Sequence, residues 1–261
     1  MSFERSRAGH EPQLGDGGRA VSDRLVVFGI GGDLGGRYLL PALGELEQLG
    51  RLPEALVVVG SGRDEWDDEG LRRYAQKRLQ EHAPDLPSEA RRKLLRRLRY
   101  RAADVTNQDE VRSAVWGSRS YVAYLALPPS MFPSAIEALG GAAGDGEATV
   151  VVEKPFGSDL ASARALNALL HRYFDEEQIL RVDHFLHLQT VQNLLGLRFA
   201  NRILEPLWDA RDIAAVEIVW DETLGLEGRA GYYDDAGALR DVVQNHLLQL
   251  FCLVAMEPPT T

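Results

Sequence analysis

The sequence predicts an α/β protein, a Rossmann-type doubly wound parallel sheet followed by the start of an α+β domain that is incomplete. Short apolar runs alternate with helical patterns over the first two thirds of the chain. This alternation is typical of parallel strands joined by crossover helices. A glycine-rich turn also stands between the first apolar run and the first helical pattern. In a doubly wound sheet, ligands bind at the carboxyl ends of the strands.

The predicted strands are short, apolar and rich in β-branched or aromatic residues. They cover residues 25–28, 56–59, 100–104, 121–127 and 149–152, and the segment 178–182 ends this part of the chain. The predicted helices have apolar residues at intervals of three and four. They cover residues 39–49, 67–81, 88–97, 108–116 and 133–139.

The pattern changes after residue 182. We expect an amphipathic helix around residues 191–199, an alternating strand over residues 215–220 and an apolar helix over residues 238–256. One strand is too few to form a second sheet that shelters this last helix. We therefore expect its apolar face to be a liability for association. The single cysteine, Cys252, lies in an apolar segment, which predicts a buried thiol and a reducing, cytoplasmic location.

Composition limits the classes of partner. The chain has 261 residues, and 29 Lys and Arg against 39 Asp and Glu give a net charge of −10. This charge disfavours binding to nucleic acids and to anionic membrane surfaces. The N-terminal residues contain no apolar stretch of the kind found in a signal peptide. A small anionic substrate would need a local basic site.

The glycine-rich turn predicts a dinucleotide site. Gly29, Gly32 and Gly35 are spaced at intervals of three between a predicted strand and a predicted helix, with Asp33 and Leu34 among them. Such glycines let the backbone approach a pyrophosphate while the following helix offers its free N–H groups. The predicted boundaries are a flexible tail over residues 1–23, a dinucleotide-binding domain over residues 24–182 and a partial substrate or catalytic domain over residues 183–261.

The end of the second predicted strand indicates which dinucleotide is bound. Folds that prefer NAD carry an acidic residue there, whereas this chain has Ser61 and Arg63. Arg63 is expected to bind the 2′-phosphate of NADP, with Ser61 as a further donor. The alternative is that Asp64 or Glu65 pairs with Arg63 and makes it an ordinary surface residue.

Several long motifs lie at residues 32–43, 152–157, 181–186, 191–201 and 231–246. Together they resemble those of glucose-6-phosphate dehydrogenases. The resemblance implies oxidation of a sugar phosphate at C1 with hydride transfer to NADP, in the pentose phosphate pathway. The group similar to glucose–fructose oxidoreductase also has Glu-Lys-Pro after a Rossmann strand, but the long motif at residues 231–246 favours the first family.

The resemblance also implies roles for individual residues. His246 corresponds to the general base, Asp183 to the carboxylate that orients it, and Lys154 to a cation at the junction of coenzyme and substrate. The implied substrate ligands are His184, Glu222 and Asp241. Without the resemblance, His246 would be interpreted as a core histidine and Lys154 as a surface lysine. Glu222 and Asp241 would be interpreted as solvated charges or helix caps. No metal site is predicted. Pro155 is expected to follow a cis peptide bond.

Two features depart from the family pattern. Leu188 stands where the family has a lysine that binds the substrate phosphate, so either His187 partly replaces that cation or the preferred sugar differs. Family members are also close to twice as long. The expected partners are therefore a sugar phosphate and either a second copy of the chain or a complementing C-terminal chain. The alternative function is that of an NADP-binding, catalytically impaired subunit with a structural or regulatory role.

Overall fold

The computed structural model describes residues 22–115, 117–118, 120–142, 147–221, 234 and 237–258. The chain divides into two compact units, Met1–Val182 and Asp183–Thr261. The described part of the first unit is an α/β layer structure, and that of the second is mainly helical. No helix in the described ranges is long and apolar enough to cross a lipid bilayer.

The first unit contains one parallel sheet of six strands, which confirms the predicted Rossmann-type fold. The strands are β1 (Arg24–Phe28), β2 (Val57–Gly62), β3 (Leu98–Ala102), β4 (Ser120–Leu125), β5 (Glu147–Glu153) and β6 (Ile179–Val182). Their order across the sheet is β3-β2-β1-β4-β5-β6. The direction of winding reverses between β1 and β4, which is the position where doubly wound sheets bind ligands.

Helices cover both faces of this sheet. One face packs against α1 (Leu40–Gln48), α2 (Asp68–His82) and α3 (Ser88–Arg97), and the other against α4 (Gln108–Val115), α5 (Phe132–Ala142) and α6 (Leu160–Tyr173). Burial on both faces explains why the strands are almost continuously apolar. Each predicted strand and helix of this unit corresponds to an observed one, although the ends differ by a few residues.

Helix α6 was not among the predicted helices. This helix begins with a capping box, in which the Asp159 side chain accepts a hydrogen bond from the Ser162 backbone N–H at 2.7 Å. The Ser162 hydroxyl in turn accepts a hydrogen bond from the Asp159 N–H at 3.0 Å. An aspartate three residues before a serine, followed by apolar positions, was the signal that could have revealed α6.

The second unit contains α7 (Gln189–Phe199), a 3₁₀ turn at Glu205–Leu207, a π-helical stretch at Leu239–Leu247 and α8 (Leu248–Ala255). The strand predicted over residues 215–220 is wrong, since these residues form no strand. A strand needs a neighbouring backbone to satisfy its N–H and C=O groups. No described segment of this unit provides such a neighbour, so alternation alone was not sufficient.

The predicted burial of Cys252 is also wrong, because this residue is exposed on α8. None of the residues of α8 is buried, and Leu248 and Phe251 are each about half exposed. The apolar segment around Cys252 correctly predicted a helix. Burial depends on what packs against that helix, and among the described residues its apolar face remains largely open.

The connection between β1 and the next helix depends on two glycines. Gly29 has a φ of +84°, in the left-handed region that glycine tolerates. A Cβ atom on Gly35 would lie only 2.3 Å from the Ile30 carbonyl oxygen. The backbone of the helix start therefore touches the backbone of the turn directly.

Replacing Gly35 with alanine is expected to destabilise the protein, because the new methyl group would collide with backbone that cannot move aside. The expected loss in the free energy of unfolding is about 1–3 kcal/mol. Gly196→Ala is the control, since Gly196 lies in α7 with open space around its Cα. That change should stabilise by about 0.5–1 kcal/mol through helix propensity. Chemical denaturation measures both, and equal effects of the two substitutions would contradict this account.

Candidate active site

The glycine turn lies at the carboxyl end of β1, beside the end of β2. The Gly29 N–H donates to the Ser61 carbonyl oxygen at 2.8 Å, and the Gly32 N–H donates to the Gly29 carbonyl oxygen at 2.9 Å. The π-helical stretch Leu34–Leu39 follows at once, with Asp33 as its N-cap. A Cβ atom at Gly29 or Gly35 would collide with the backbone carbonyl of Ala126 or of Ile30, so these two glycines let the turn pack closely against its neighbours. A glycine turn that opens a helical stretch is a typical binding position for a phosphate group, because the group can approach free backbone N–H donors. The predicted cofactor residues of the turn thus come together in one place.

Arg63 and Ser61 differ in accessibility. The Arg63 side chain is exposed and forms no hydrogen bond or ion pair with any residue in the described ranges. Hydrogen bonds from Thr106, and then the charge of Arg63, lower the pKa of Asp104, which places Arg63 near the end of β3. Ser61 is fully buried, and its hydroxyl has no hydrogen-bonding partner among the described residues. Its backbone carbonyl, rather than its hydroxyl, contacts the glycine turn.

Lys154 follows β5 at the same edge of the sheet, and the Lys154–Pro155 peptide bond is cis, as expected. The preceding residue, Glu153, is buried and accepts a short hydrogen bond from the Tyr124 hydroxyl on β4. Burial, and then the Glu153 carboxylate, raise the pKa of Tyr124, so the phenol keeps its proton and donates it. This pair was not predicted from the sequence. A tyrosine close to the carboxyl end of a central strand was the available signal.

In the second unit, Asp183 and His246 both contact Phe185. Asp183 is buried, and its carboxylate accepts the Phe185 backbone N–H at 3.0 Å. The Phe185 ring lies against the His246 imidazole with ring centroids 4.3 Å apart and against Trp220 at 5.1 Å. The proposed base and its proposed orienting carboxylate are thus brought to one aromatic cluster. Phe185 and Trp220 were not predicted as site residues.

Asp241 and His246 lie five residues apart in the π-helical stretch Leu239–Leu247. Because π-helices form hydrogen bonds between residues five apart, these two residues are separated by about one turn. Periodicity in the sequence suggested an ordinary α-helix, in which they would face different directions. His184 is exposed, as are His187 and Leu188. The predicted ligand Glu222 lies outside the described residues.

The end of α8 is held by two side chains from elsewhere in the second unit. The Arg198 guanidinium is almost fully buried and donates to the carbonyl oxygens of Leu253 at 2.6 Å and Met256 at 2.8 Å. The Trp208 indole N–H donates to the Val254 carbonyl oxygen at 2.8 Å. These donors satisfy carbonyl groups that a helix end leaves unpaired, and the positive charge suits the negative end of the helix dipole.

The model described as "Glucose-6-phosphate dehydrogenase, NAD binding domain" matches residues 26–193. The chain belongs to the glucose-6-phosphate dehydrogenase family. The model described as "Glucose-6-phosphate dehydrogenase, C-terminal domain" matches residues 195–261.

Individual relatives and solved structures agree with this family. Glucose-6-phosphate 1-dehydrogenase of Zymomonas mobilis is 42% identical over 243 residues, which are 90% of this chain and 50% of that protein. The enzyme of that name from Mycobacterium avium has a crystal structure with a TM-score of 0.82 and 43% identity, covering 92% of this chain and 54% of that one. A glucose-6-phosphate dehydrogenase solved with its substrate glucose-6-phosphate has a TM-score of 0.81 and 33% identity, covering 91% of this chain and 52% of that one. The chain thus spans about half the length of the curated relatives it matches.

Replacing Arg198 with leucine is expected to loosen the end of α8, because the carbonyl oxygens of Leu253 and Met256 would lose their buried donors. Amide hydrogen exchange over residues 248–256 should accelerate by about tenfold or more, as the cost of unsatisfied buried groups implies. The measurement is hydrogen exchange followed by mass spectrometry. Arg202→Leu removes a nearby exposed arginine and should leave these rates unchanged. Identical protection in both variants would show that Arg198 does not hold the helix.

Proposed function

We propose that this chain carries the coenzyme site and the proton-transfer residues of a glucose-6-phosphate dehydrogenase. The reaction is the oxidation of glucose 6-phosphate at C1 to the lactone, with hydride transfer to NADP, in the pentose phosphate pathway. Membership of the family over almost the whole chain is the observation that carries this proposal. The relatives named glucose-6-phosphate 1-dehydrogenase support it.

The cofactor in this proposal is NADP, which accepts the hydride when it is bound. The glycine turn at Gly29, Gly32 and Gly35, with Asp33 and Leu34 between the last two glycines, opens a helical stretch and suits the pyrophosphate. Arg63 supports the choice of NADP, because it is exposed at the end of β2, where an acidic residue would favour NAD. In the conformation described, the Ser61 hydroxyl does not reach the surface, so Arg63 is the main expected contact with the 2′-phosphate.

Proton removal is assigned to His246. An imidazole has an ordinary pKa near neutrality, so it can take the C1 hydroxyl proton while hydride leaves C1. Asp183 is the proposed orienting group, because a buried carboxylate can stabilise the imidazolium that forms. The contact of both residues with Phe185 supports the pairing. Lys154 is the proposed cation near the reacting hydroxyl and the nicotinamide.

The proposed substrate ligands are His184, Asp241 and Glu222. Asp241 shares the π-helical stretch with His246, which supports a position near the sugar. His184 is exposed and available to a phosphate group. Leu188 supplies no charge at the position where the family has lysine, so phosphate binding by these residues alone should be weak at neutral pH. We propose a cytoplasmic location and association with a second copy or a complementing chain.

The direct test is NADP reduction with a panel of sugars. Absorbance at the nicotinamide band would be followed with glucose 6-phosphate, glucose and other hexose phosphates, with the chain alone and together with the C-terminal half of a relative. Reduction that requires glucose 6-phosphate supports the proposal. Tight NADP binding with no reduction under any of these conditions would instead indicate an NADP-binding subunit without catalytic activity.

Arg63→Ala is expected to narrow the preference for NADP over NAD. The loss of NADP binding should be about 1–3 kcal/mol, as for a hydrogen bond to a charged phosphate, while NAD binding should change little. Calorimetric titration with both dinucleotides gives the two affinities. Arg92→Ala, which removes an exposed arginine on α3, serves as the control. Equal affinity of the unmutated chain for NADP and NAD would refute the assignment of Arg63.

His246→Asn is expected to abolish proton abstraction while leaving NADP binding intact. General-base catalysis contributes about 10²–10⁴-fold, so kcat in the glucose 6-phosphate assay should fall within that range. His171→Asn, at an exposed position on α6, should not affect turnover. Near-full turnover by His246→Asn would show that another group is the base.

A further inference from the structure

A small cavity of about 150 Å³ borders the glycine turn on the side of α2. Its lining combines backbone of the turn with long polar side chains: Gly31, Gly32, Gly36, Arg37, Tyr74 and Arg78. The turn has been assigned to the cofactor through Gly29, Gly32 and Gly35. The sequence pattern gave no role to Gly31, Gly36 or the two α2 residues, Tyr74 and Arg78.

Tyr74 holds the turn from the side of α2. Its hydroxyl donates to the carbonyl oxygen of Gly31 at 3.0 Å and approaches that of Gly32 at 3.4 Å. Burial raises the pKa of Tyr74, so this donor keeps its proton. The hydroxyl proton offsets the partial negative charge of two oxygens beside the cavity. The Tyr74 ring is itself packed against Trp66, with ring centroids 5.0 Å apart.

Gly36 makes room for the side chains of α2. A Cβ atom at this position would lie 2.4 Å from the Tyr74 hydroxyl oxygen and 2.9 Å from Cδ of Arg78. Any side chain at residue 36 would therefore occupy the space that Arg78 uses. Because residue 36 is glycine, the stem of Arg78 crosses the π-helical stretch Leu34–Leu39 and carries its charge to the cavity.

The guanidinium of Arg78 is held in one orientation, but not all of its N–H groups donate hydrogen bonds to described residues. It lies over the Tyr74 ring, 5.5 Å from the ring centroid. Its Nη1 contacts the Glu81 carboxylate at 2.8 Å and Nε2 of His82 at 3.4 Å. Its Nε is buried and has no hydrogen-bonding partner among the described residues. Arginine has five N–H donors, so it can hold Glu81 and still donate to an anion.

Acidic side chains near the cavity make the positive charge of Arg78 necessary for binding an anion. Asp33 lines the cavity, and the Asp64 carboxylate lies close to Gly31, since a Cβ there would be 2.9 Å from one of its oxygens. Both carboxylates repel a phosphate group. Arg78 and Arg37 are the cations on the cavity wall that offset them. A phosphate here would combine charge-assisted hydrogen bonds with the N–H groups at the start of a helical stretch.

We propose that this cavity is a phosphate subsite of the dinucleotide site and that Arg78 is its arginine ligand. Tyr74 holds the Arg78 guanidinium in place, and the absence of a side chain at Gly36 leaves space for the Arg78 stem. This inference rests on the proposed function, because the phosphate belongs to the bound dinucleotide. Two phosphate groups have the required chemistry. The pyrophosphate is present in both NAD and NADP, whereas the 2′-phosphate is present only in NADP.

The test is calorimetric titration of the full chain with NADP and with NAD. Arg78→Gln should weaken NADP binding by about ten- to a hundredfold, the loss expected for a charged hydrogen bond. Arg78→Lys should restore part of that loss, because it returns the charge without the forked geometry. Arg73→Gln is the matched control, since it removes an exposed arginine from the same helix and should change the affinity less than twofold. Far-ultraviolet circular dichroism confirms that each variant is folded.

Comparison of the two dinucleotides assigns the phosphate. An equal loss for NADP and NAD places the pyrophosphate at Arg78, and a loss for NADP alone places the 2′-phosphate there. Either result supports the subsite. If the unmutated chain binds NADP and Arg78→Gln binds it as well as Arg73→Gln does, the subsite is refuted while the proposed function stands. If the unmutated chain binds neither dinucleotide, both proposals fail.

Discussion

The close approach of Gly35 to the Ile30 carbonyl is the constraint on which the rest of the first unit depends. This contact fixes where the first helical stretch begins relative to β1, and hence where its N–H groups point. The Ser61 carbonyl, which accepts the Gly29 N–H, ties the same turn to β2. The winding of the sheet reverses next to β1, so the carboxyl ends of β2 and β4 flank the turn and that of β5 follows at the same edge of the sheet. Arg63, Tyr124 and Lys154 owe their position at this edge to that topology.

The sequence predicted the features that a short segment shows by itself. A strand of this sheet is recognisable as a short apolar run, and the glycine turn needs glycine because of its own backbone geometry. The features that sequence reasoning missed depend on neighbours distant in the chain. Ser61 carries a polar side chain and was expected to donate to a ligand, yet it is completely buried in the folded unit. The bond between Tyr124 and Glu153 joins two strands, so the position of Tyr124 near the end of β4 could suggest a site residue but not its partner.

The second unit also differs from the sequence prediction where the fold depends on neighbours distant in the chain. The apolar residues around Cys252 and the alternating residues 215–220 show which side chains would be buried if another part of the protein packed against them. Described residues cover only a small part of either segment, so one is an exposed helix and the other forms no strand. The π-helical stretch could not be predicted from the periodicity of the sequence, because the spacing of its apolar residues fits an α-helix about as well. Arg198 belonged to a motif that suggested the family, but its contacts with the end of α8 emerged only from the fold.

Gly36, Tyr74 and Arg78 share one space, and this links the three positions in evolution. A side chain acquired at residue 36 would collide with both the Tyr74 hydroxyl and the stem of Arg78. A shorter residue at 78 would remove only one of these two collisions, so the tyrosine would also have to change. Loss of glycine at residue 36 should therefore be accompanied by substitutions at both positions of α2.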